Sequence, residues 1–510
     1  PSAIDPFVVE QFRRINATLG SGSLQPSDLL RNSFSFIIPT RPKNVYPTAR
    51  VDWQASPSLA VRGILNLWWR DLARNPQFPG MDFVNGGFTS TYYILSTGAD
   101  WTVRPNVFNQ VSFGVQSNFE EFNPGNTPAV YEIDRRVAFP MGLTPALPTG
   151  NVLPIPRNNP VYNLIDTVTI LHGNHTFTLG GTFRRTTMWE SIWGGAAGGP
   201  LVTLGVAAGD PASAVFTAAT LPRIRSTDLP NALALYALLT GRIGAISGVH
   251  NVDERTHQYG ANPVVRREAQ NVGGVYFQDA SRLTPELTLN YGLRWEFTGP
   301  AHNTNGIYTS PTREHLFGPS RALFRPGTLD GVPEPQIELR PRPYKGDYVN
   351  PAPNAGFAWN PQPEGGLIGR LLGRGRSVIR GSVGVNYYDE GLIAFQSAAG
   401  GNPGLTQQLF LNPGMPGFPP GGLLLSSPLP PLAAFPAAFT FPMPQALFTF
   451  ASGFSTVDPD LRTPFVTNWA IGLQRELWRD AAVEIRYVGN RGSRLWRFYD
   501  LNEVNIFENG

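Results

Sequence analysis

The stretch Glu286–Thr298, ELTLNYGLRWEFT, alternates without a break. Leu287, Leu289, Tyr291, Leu293, Trp295 and Phe297 are large and apolar or aromatic. Glu286, Thr288, Asn290, Gly292, Arg294, Glu296 and Thr298 are polar, charged or glycine. Successive side chains of a β-strand point to opposite faces, so a period of two gives one oily face and one wet face. Two settings accept such a strand. In a soluble sandwich the oily face meets a protein core; in the wall of a membrane barrel it meets lipid. The remainder of the chain decides between them.

Charged residues make up 15% of the 510 and aromatics 12%. A soluble domain averages about a quarter charged residues, so this chain is poor in charge and rich in rings, as suits a surface largely out of water. Mean hydropathy is -0.15, and no run of about 18 apolar residues occurs, which excludes a helical membrane protein. A β-barrel satisfies both facts, because half of each strand is polar. The formal net charge of +3, from 40 basic and 37 acidic residues, gives no electrostatic reason for nucleic acid as a partner. The absence of cysteine excludes disulfides and thiolate sites. The 54 glycines and 49 prolines imply many turns and long irregular connections. Pro1 opens the chain with neither an initiator Met nor a signal peptide, which reads as a processed chain or an internal fragment.

Residues 1–45 read as an irregular lead-in with one short strand at Ser35–Pro39. From 46 to 510 the alternation predicts six hairpins. Tyr46–Gln54 pairs with Leu59–Trp69, Thr91–Val103 with Val107–Phe119, and Val161–Leu171 with Thr176–Trp189. Ala269–Ala280 pairs with the opening stretch, Asn354–Asn360 with Ser377–Tyr388, and Phe465–Glu476 with Ala481–Asn490. The pattern is imperfect in two places: Ile64 and Trp68 fall on a wet face, and Val275, Tyr276 and Phe277 are adjacent. Turns inside the pairs are short. The connections between them, at about 70–87, 120–160, 190–268, 299–353 and 389–463, are long. Within the third, the Ala/Leu-rich segments 207–219 and 229–239 read as short helices. Structureless loops beyond about 12–15 residues are unusual in a compact soluble domain. Five at one end of a sheet match the long extracellular loops and short periplasmic turns of an outer-membrane barrel. Strand lengths suit the roughly 9–11 tilted residues that cross a bilayer. Trp53, Trp69, Trp101, Trp295, Phe297, Tyr387 and Trp469 sit near strand ends, as aromatic girdles do. No repeat of about 40–50 residues marks a propeller, and sandwich strands lack alternating loop sizes. The fold class is all-β, an antiparallel transmembrane β-barrel with about 12 or 13 strands in this chain.

The segments Gly173–Arg185 (GNHTFTLGGTFRR), Tyr276–Glu296 (YFQDASRLTPELTLNYGLRWE) and Thr467–Leu495 (TNWAIGLQRELWRDAAVEIRYVGNRGSRL) resemble the barrel of TonB-dependent outer-membrane receptors. The Oar-like branch, whose members carry an N-terminal carboxypeptidase regulatory-like domain, is the nearest in pattern. Asn354–Pro361 (NAGFAWNP) and Ser377–Glu390 (SVIRGSVGVNYYDE) fit the same series. The resemblance implies a 22-stranded barrel around a plug. It also implies import of an extracellular ligand, driven by a TonB–ExbB–ExbD complex of the inner membrane. The sequence departs from that pattern in its smaller strand number, in having no plug or TonB box ahead of Tyr46, and in the end NIFENG, which lacks a final amphipathic strand. It therefore reads as a fragment of such a barrel.

Chemistry-bearing motifs are few. No G-x-S-x-G elbow or H-E-x-x-H occurs, so the chain is expected not to be an enzyme, and no cofactor or metal is assigned. His172 and His175 flank a tight turn with no carboxylate nearby in sequence, and read as a solvated hairpin turn. His250 and His257, beside Asp253 and Glu254, are the other pair with metal-ligand chemistry; His302 and His315 complete the six. Gly369–Arg376, GRLLGRGR, lacks the Lys-Ser/Thr ending of a phosphate loop and reads as an enlarged periplasmic turn. Glu120–Glu121 and Asp389–Glu390 read as solvated loop charge. The Pro-rich segment 412–444 reads as a stiff cap over the pore, packed by Phe435, Phe439 and Phe441.

These observations lead to an outer-membrane barrel whose apolar faces meet lipid. Arg62, Gln110, Gln116, Arg184, Arg294, Glu296, Gln474, Glu484 and Arg486 would line its lumen, and an unknown extracellular ligand would be recognised by the long loops. The function expected is ligand import by a TonB-dependent receptor. The alternative is an outer-membrane surface binding or adhesion protein without energised transport.

Overall fold

All six hairpins form. The computed structural model describes residues 3–498 except 73–75, 82–86, 208, 312–336, 364, 367–368, 370–371, 374, 389–390, 393–394, 396–403, 435, 442, 444–454 and 479. His315, the Asp389–Glu390 pair, Phe435 and the NIFENG end lie outside the described residues. The wall strands are β1 (Thr48–Ser56), β2 (Leu59–Leu72), β3 (Phe88–Arg104), β4 (Val107–Phe122), β5 (Val161–His172) and β6 (His175–Ile192). They continue as β7 (Val264–Thr284), β8 (Leu287–Thr298), β9 (Asp347–Trp359), β10 (Ser377–Tyr387), β11 (Phe465–Trp478) and β12 (Ala481–Ser493). Each pairs antiparallel with its neighbour in chain order, so the wall is a meander from β1 to β12. Among the described residues these two edges do not pair with each other.

The alternation of the sequence becomes an alternation of exposure. Leu293 and Phe277, opposite each other on β8 and β7, are 43% and 47% exposed, and Val51, Trp53, Phe113, Leu179, Ile471 and Ile485 on the same face are exposed too. A single sheet has no second layer to cover this face, so lipid must. The breaks in the pattern have a cause on the other face. Trp68 points inward, stacked on Tyr46 at 5.6 Å between ring centroids and beside Tyr92. Tyr276 also points inward. Its hydroxyl lies 2.6 Å from Thr167 Oγ1, and the Arg294 guanidinium sits 5.7 Å from its ring centroid. Such cation–ring contacts make an aromatic acceptable on a polar face.

The long connections differ from expectation in two ways. The strands continue past the girdle, so β4 runs to Phe122, β6 to Ile192, and β7 starts at Val264. The loops are also folded. Arg136–Ala138, Leu201–Leu204, Arg242–Val252, Tyr259–Gly260, Thr406–Leu411 and Leu423–Leu424 make a second sheet from three different loops. The lead-in, expected to be irregular, begins with helix α1 (Pro6–Thr18) and a hairpin of Gly22–Pro26 with Asn32–Phe36. Asp5 caps α1, its carboxylate accepting from Phe7 N at 2.9 Å with Pro6 at the first helical position, an ordinary helix start. Helix α2 (Leu229–Thr240) forms where the Ala/Leu pattern placed it. The 207–219 segment gives only a short 3-10 turn, Pro211–Ala214, because Gly209, Asp210 and Pro211 end the run. Gly241 closes α2 at φ 66, and a Cβ there would lie 2.5 Å from Asp5 Oδ2, so glycine is required on both counts.

Together these segments form a cap with its own hydrophobic core. Val8, Val137, Val202, Leu204, Leu238, Ile243, Ile246 and Leu411 are buried against one another. A second cluster joins Val252, Ile307, Ile337, Phe439 and Met443, so the Pro-rich segment packs through Phe439 and Met443, with Phe441 against them. Among the described residues, burial on this scale is concentrated at the long-loop end.

Candidate functional site

The luminal face starts from parity. Arg62, Gln110, Gln116, Arg184, Arg294, Glu296, Gln474, Glu484 and Arg486 all occupy positions opposite the exposed apolar ones. They are not isolated charges. Arg62 pairs with Asp100, which also accepts from Gln110 Nε2 at 2.9 Å. Arg294 pairs with Glu296 and donates to Thr182 Oγ1 at 2.6 Å.

Two rows that cross the strands carry the chemistry. The first lies at the mouth, above the girdle. Glu120 of β4 stands opposite Arg157, in the short strand Ile155–Asn158. Arg157 stands opposite Glu190 of β6, and Glu190 opposite Arg266 of β7. Cross-strand neighbours lie side by side, so the four residues make an alternating charge row. Arg157 pairs with Glu120 and lies 5.1 Å from the Phe122 ring centroid; Arg266 Nη1 is 3.9 Å from Glu190 Oε2. Arg70 lies over Phe88 at 4.5 Å on the same rim. Glu120 is therefore a correction: the strand continues through it, and it is buried in an ion pair rather than solvated. Glu121, one residue on, has the opposite parity.

Glu268 stands beside this row, two residues from Arg266 on the same face of β7, in the part of the strand above the Phe183–Gly273–Phe297 level and outside the membrane band. Burial pushes its carboxyl up to about 7, and the neighbouring Glu190 pushes the same way against Arg266. Its Oε2 has no hydrogen-bond partner among the described residues. Nearby Tyr308 is likewise pushed up to about 12, mainly by burial. The unfolded carboxyl releases its proton near the ordinary 4.5 and the folded one near 7. The native mouth should thus lose stability as pH rises from about 4.5 to about 7, by up to about 3 kcal/mol, and not beyond. Thermal unfolding of the cap followed across that range should show the slope in the wild type. Glu268→Gln should flatten it; an unchanged slope in the variant would assign it to another group.

The second row crosses the lower lumen. Gln278, Gly292, Asn354, Gly384, Asn468 and Asn490 stand opposite one another across β7, β8, β9, β10, β11 and β12. At the usual strand spacing this row is roughly 24 Å long. Glycine alternates with carboxamide from Gln278 to Asn468, and Asn490 follows Asn468, along a groove of about 860 Å³ bordered by Asn290 and Arg380. Amides both donate and accept, so the groove suits an uncharged polar surface. Parity alone placed these residues inward; nothing in the sequence distinguished them from other polar wall positions.

The histidines behave differently from one another. His175 Nδ1 lies 2.7 Å from Asp279 Oδ2, which also accepts from Tyr291 at 2.9 Å. The turn thus has a carboxylate partner supplied by β7, which the local sequence did not show. His250 lies in the strand Arg242–Val252 and His257 packs at the edge of Phe439. Among the described residues no three His, Asp or Glu side chains converge as a metal site. Gly369–Arg376 connects β9 to β10 at the short-turn end, with helical bonds from Gly369 N to Gly365 O and Gly373 N to Gly369 O.

A one-layer antiparallel wall with one face for lipid, one polar face and a folded cap defines an integral outer-membrane β-barrel protein. The chain belongs to the outer membrane beta-barrel domain family, which it matches over residues 2–509. Among solved structures it is similar to the outer membrane transporter YddB from Escherichia coli, at 12% identity and a TM-score of 0.44 over 90% of this chain and 40% of that one. The ferric-catecholate import receptor Fiu from Escherichia coli, closed form, gives 11%, 0.39, 88% and 51%. The siderophore receptor PirA from Acinetobacter baumannii gives 9%, 0.36, 88% and 43%. The chain thus spans about half or less of the length of these proteins. A search of curated proteins found no match.

Proposed function

We propose that this chain supplies wall and extracellular cap to a TonB-dependent receptor that imports a ligand across the outer membrane. The observation that carries the reading is the folded cap seated at the long-loop end. Its three loops and α1 share one core, and the luminal rim beneath presents the Glu120–Arg157–Glu190–Arg266 row. A rigid cap over a charged mouth is a recognition surface, and a polar lumen is a path for a hydrophilic ligand. The Oar-like resemblance at Tyr276–Glu296 agrees with this reading. Energy would come from the inner-membrane TonB–ExbB–ExbD complex through a plug.

Cells with and without the full-length gene, grown in the same complex medium, provide the test. Mass spectrometry of the medium should show at least one solute depleted only when the gene is present, and a protonophore should stop that depletion. Depletion insensitive to the protonophore, or none at all, would overturn the reading in favour of surface binding without transport.

A further inference from the structure

A groove of about 600 Å³ runs down the lipid-facing side of β5, β6, β7 and β8. Its floor is made by missing side chains. At one level Phe183 and Phe297 flank Gly273; at the next level down Asp166 and Val275 flank Gly181. The two gaps join diagonally, between rings and branched side chains that project outward. The upper end opens at His302 and Arg342, above the girdle, and Arg342 is exposed. Asn271 lines the same end and accepts from Arg185 Nη1 at 3.4 Å, so a second guanidinium stands beside it. The lower end stops at Asp166, whose Oδ1 accepts from Asn109 Nδ2 at 2.6 Å.

We infer that this groove holds one acyl chain of a lipid of the outer leaflet whose anionic phosphate meets Arg342, with His302 and Arg185 alongside. The location selects the occupant. The face lies in the membrane, so what fills a slot there is hydrocarbon, and basic groups at headgroup height favour a phosphate bearing net negative charge. The polar Asp166–Asn109 pair marks where the chain ends.

The test uses the full-length protein in phosphatidylcholine vesicles containing a minor amount of spin-labelled phosphatidic acid, with spin-labelled phosphatidylcholine as comparison. The phosphatidic acid probe should show a motionally restricted component well above that of phosphatidylcholine. Arg342→Glu should lower that excess at least about fivefold, the factor one basic residue near a charged surface supplies. Gly181→Leu should fill the groove and lower it as well; a Cβ there meets only Gly274 O at 3.7 Å, so the wall accepts it. Gly63→Leu, on the same face but on β2, meets only Thr97 Cγ2 at 4.0 Å and should change nothing. Equal restriction of both probes overturns the inference. So does retention of the excess in Arg342→Glu and Gly181→Leu, or its equal loss in Gly63→Leu.

Discussion

Leu293→Arg should cost the barrel roughly 2–4 kcal/mol, the range for a charge on the lipid face near the bilayer midplane. Leu293 stands near the middle of β8, flanked by Phe277 of β7 and Pro353 of β9, and is 43% exposed to what must be hydrocarbon. Asn290→Arg puts the same charge on the same strand but into the amide groove, where Asn290 has room. It should cost much less. Denaturant unfolding of both variants in lipid vesicles measures the difference. Equal losses would show that the two faces are assigned wrongly, and with them every luminal residue named above.

Asp210→Ala should have an effect as large, confined to the cap. The Asp210 carboxylate is fully buried. It accepts from Arg242 Nη1 at 2.7 and 2.6 Å and from Ala212 N at 2.8 Å. Removing it strands a mostly buried guanidinium, which costs about 3–5 kcal/mol. Asp210→Ala combined with Arg242→Met removes both charges and should recover most of that loss. Protease cleavage in the cap, with the wall still folded in the membrane, reports it. A double variant as unstable as the single one would mean that the pair holds the cap by geometry rather than by charge compensation.

The wall was legible and the cap was not, for one physical reason. The wall's order is local. Leu287 to Phe297 alternate because each residue's surroundings are decided by its own strand, and lipid imposes the same demand on every outward position. The residues that break the pattern, Trp68 and Tyr276, are inward rings held by partners from elsewhere in the chain. The cap's order is distant. Val8, Val137, Val202, Leu238 and Leu411 meet only in the fold, and no window of sequence contains two of those segments. Glu120 was misread for the same reason. Its partner Arg157 comes from a short strand inside what the sequence shows as loop. Helix α1 differs, because its start at Asp5-Pro6 is a local signal that the reading of residues 1–45 as an irregular lead-in passes over.

This division fixes a sequence of events in time. Five of the six wall hairpins close over a turn of a few residues and the sixth, β9 to β10, over residues 360–376, whereas the cap joins positions far apart along the chain. Arg135 Nη1 reaches Leu425 O across 290 residues at 3.2 Å, and Leu147 N reaches Gln11 Oε1 across 136 at 3.1 Å. Closing such spans in a free chain is entropically costly, and it becomes easy only once the strands beneath have brought the loop ends together. The cap is therefore expected to form last, once the wall is in place. Until then Val202, Ile243 and Ile246 face water. A substitution that merely delays insertion of the wall lengthens that interval. Its damage would appear as proteolysis or aggregation of a segment it never touches.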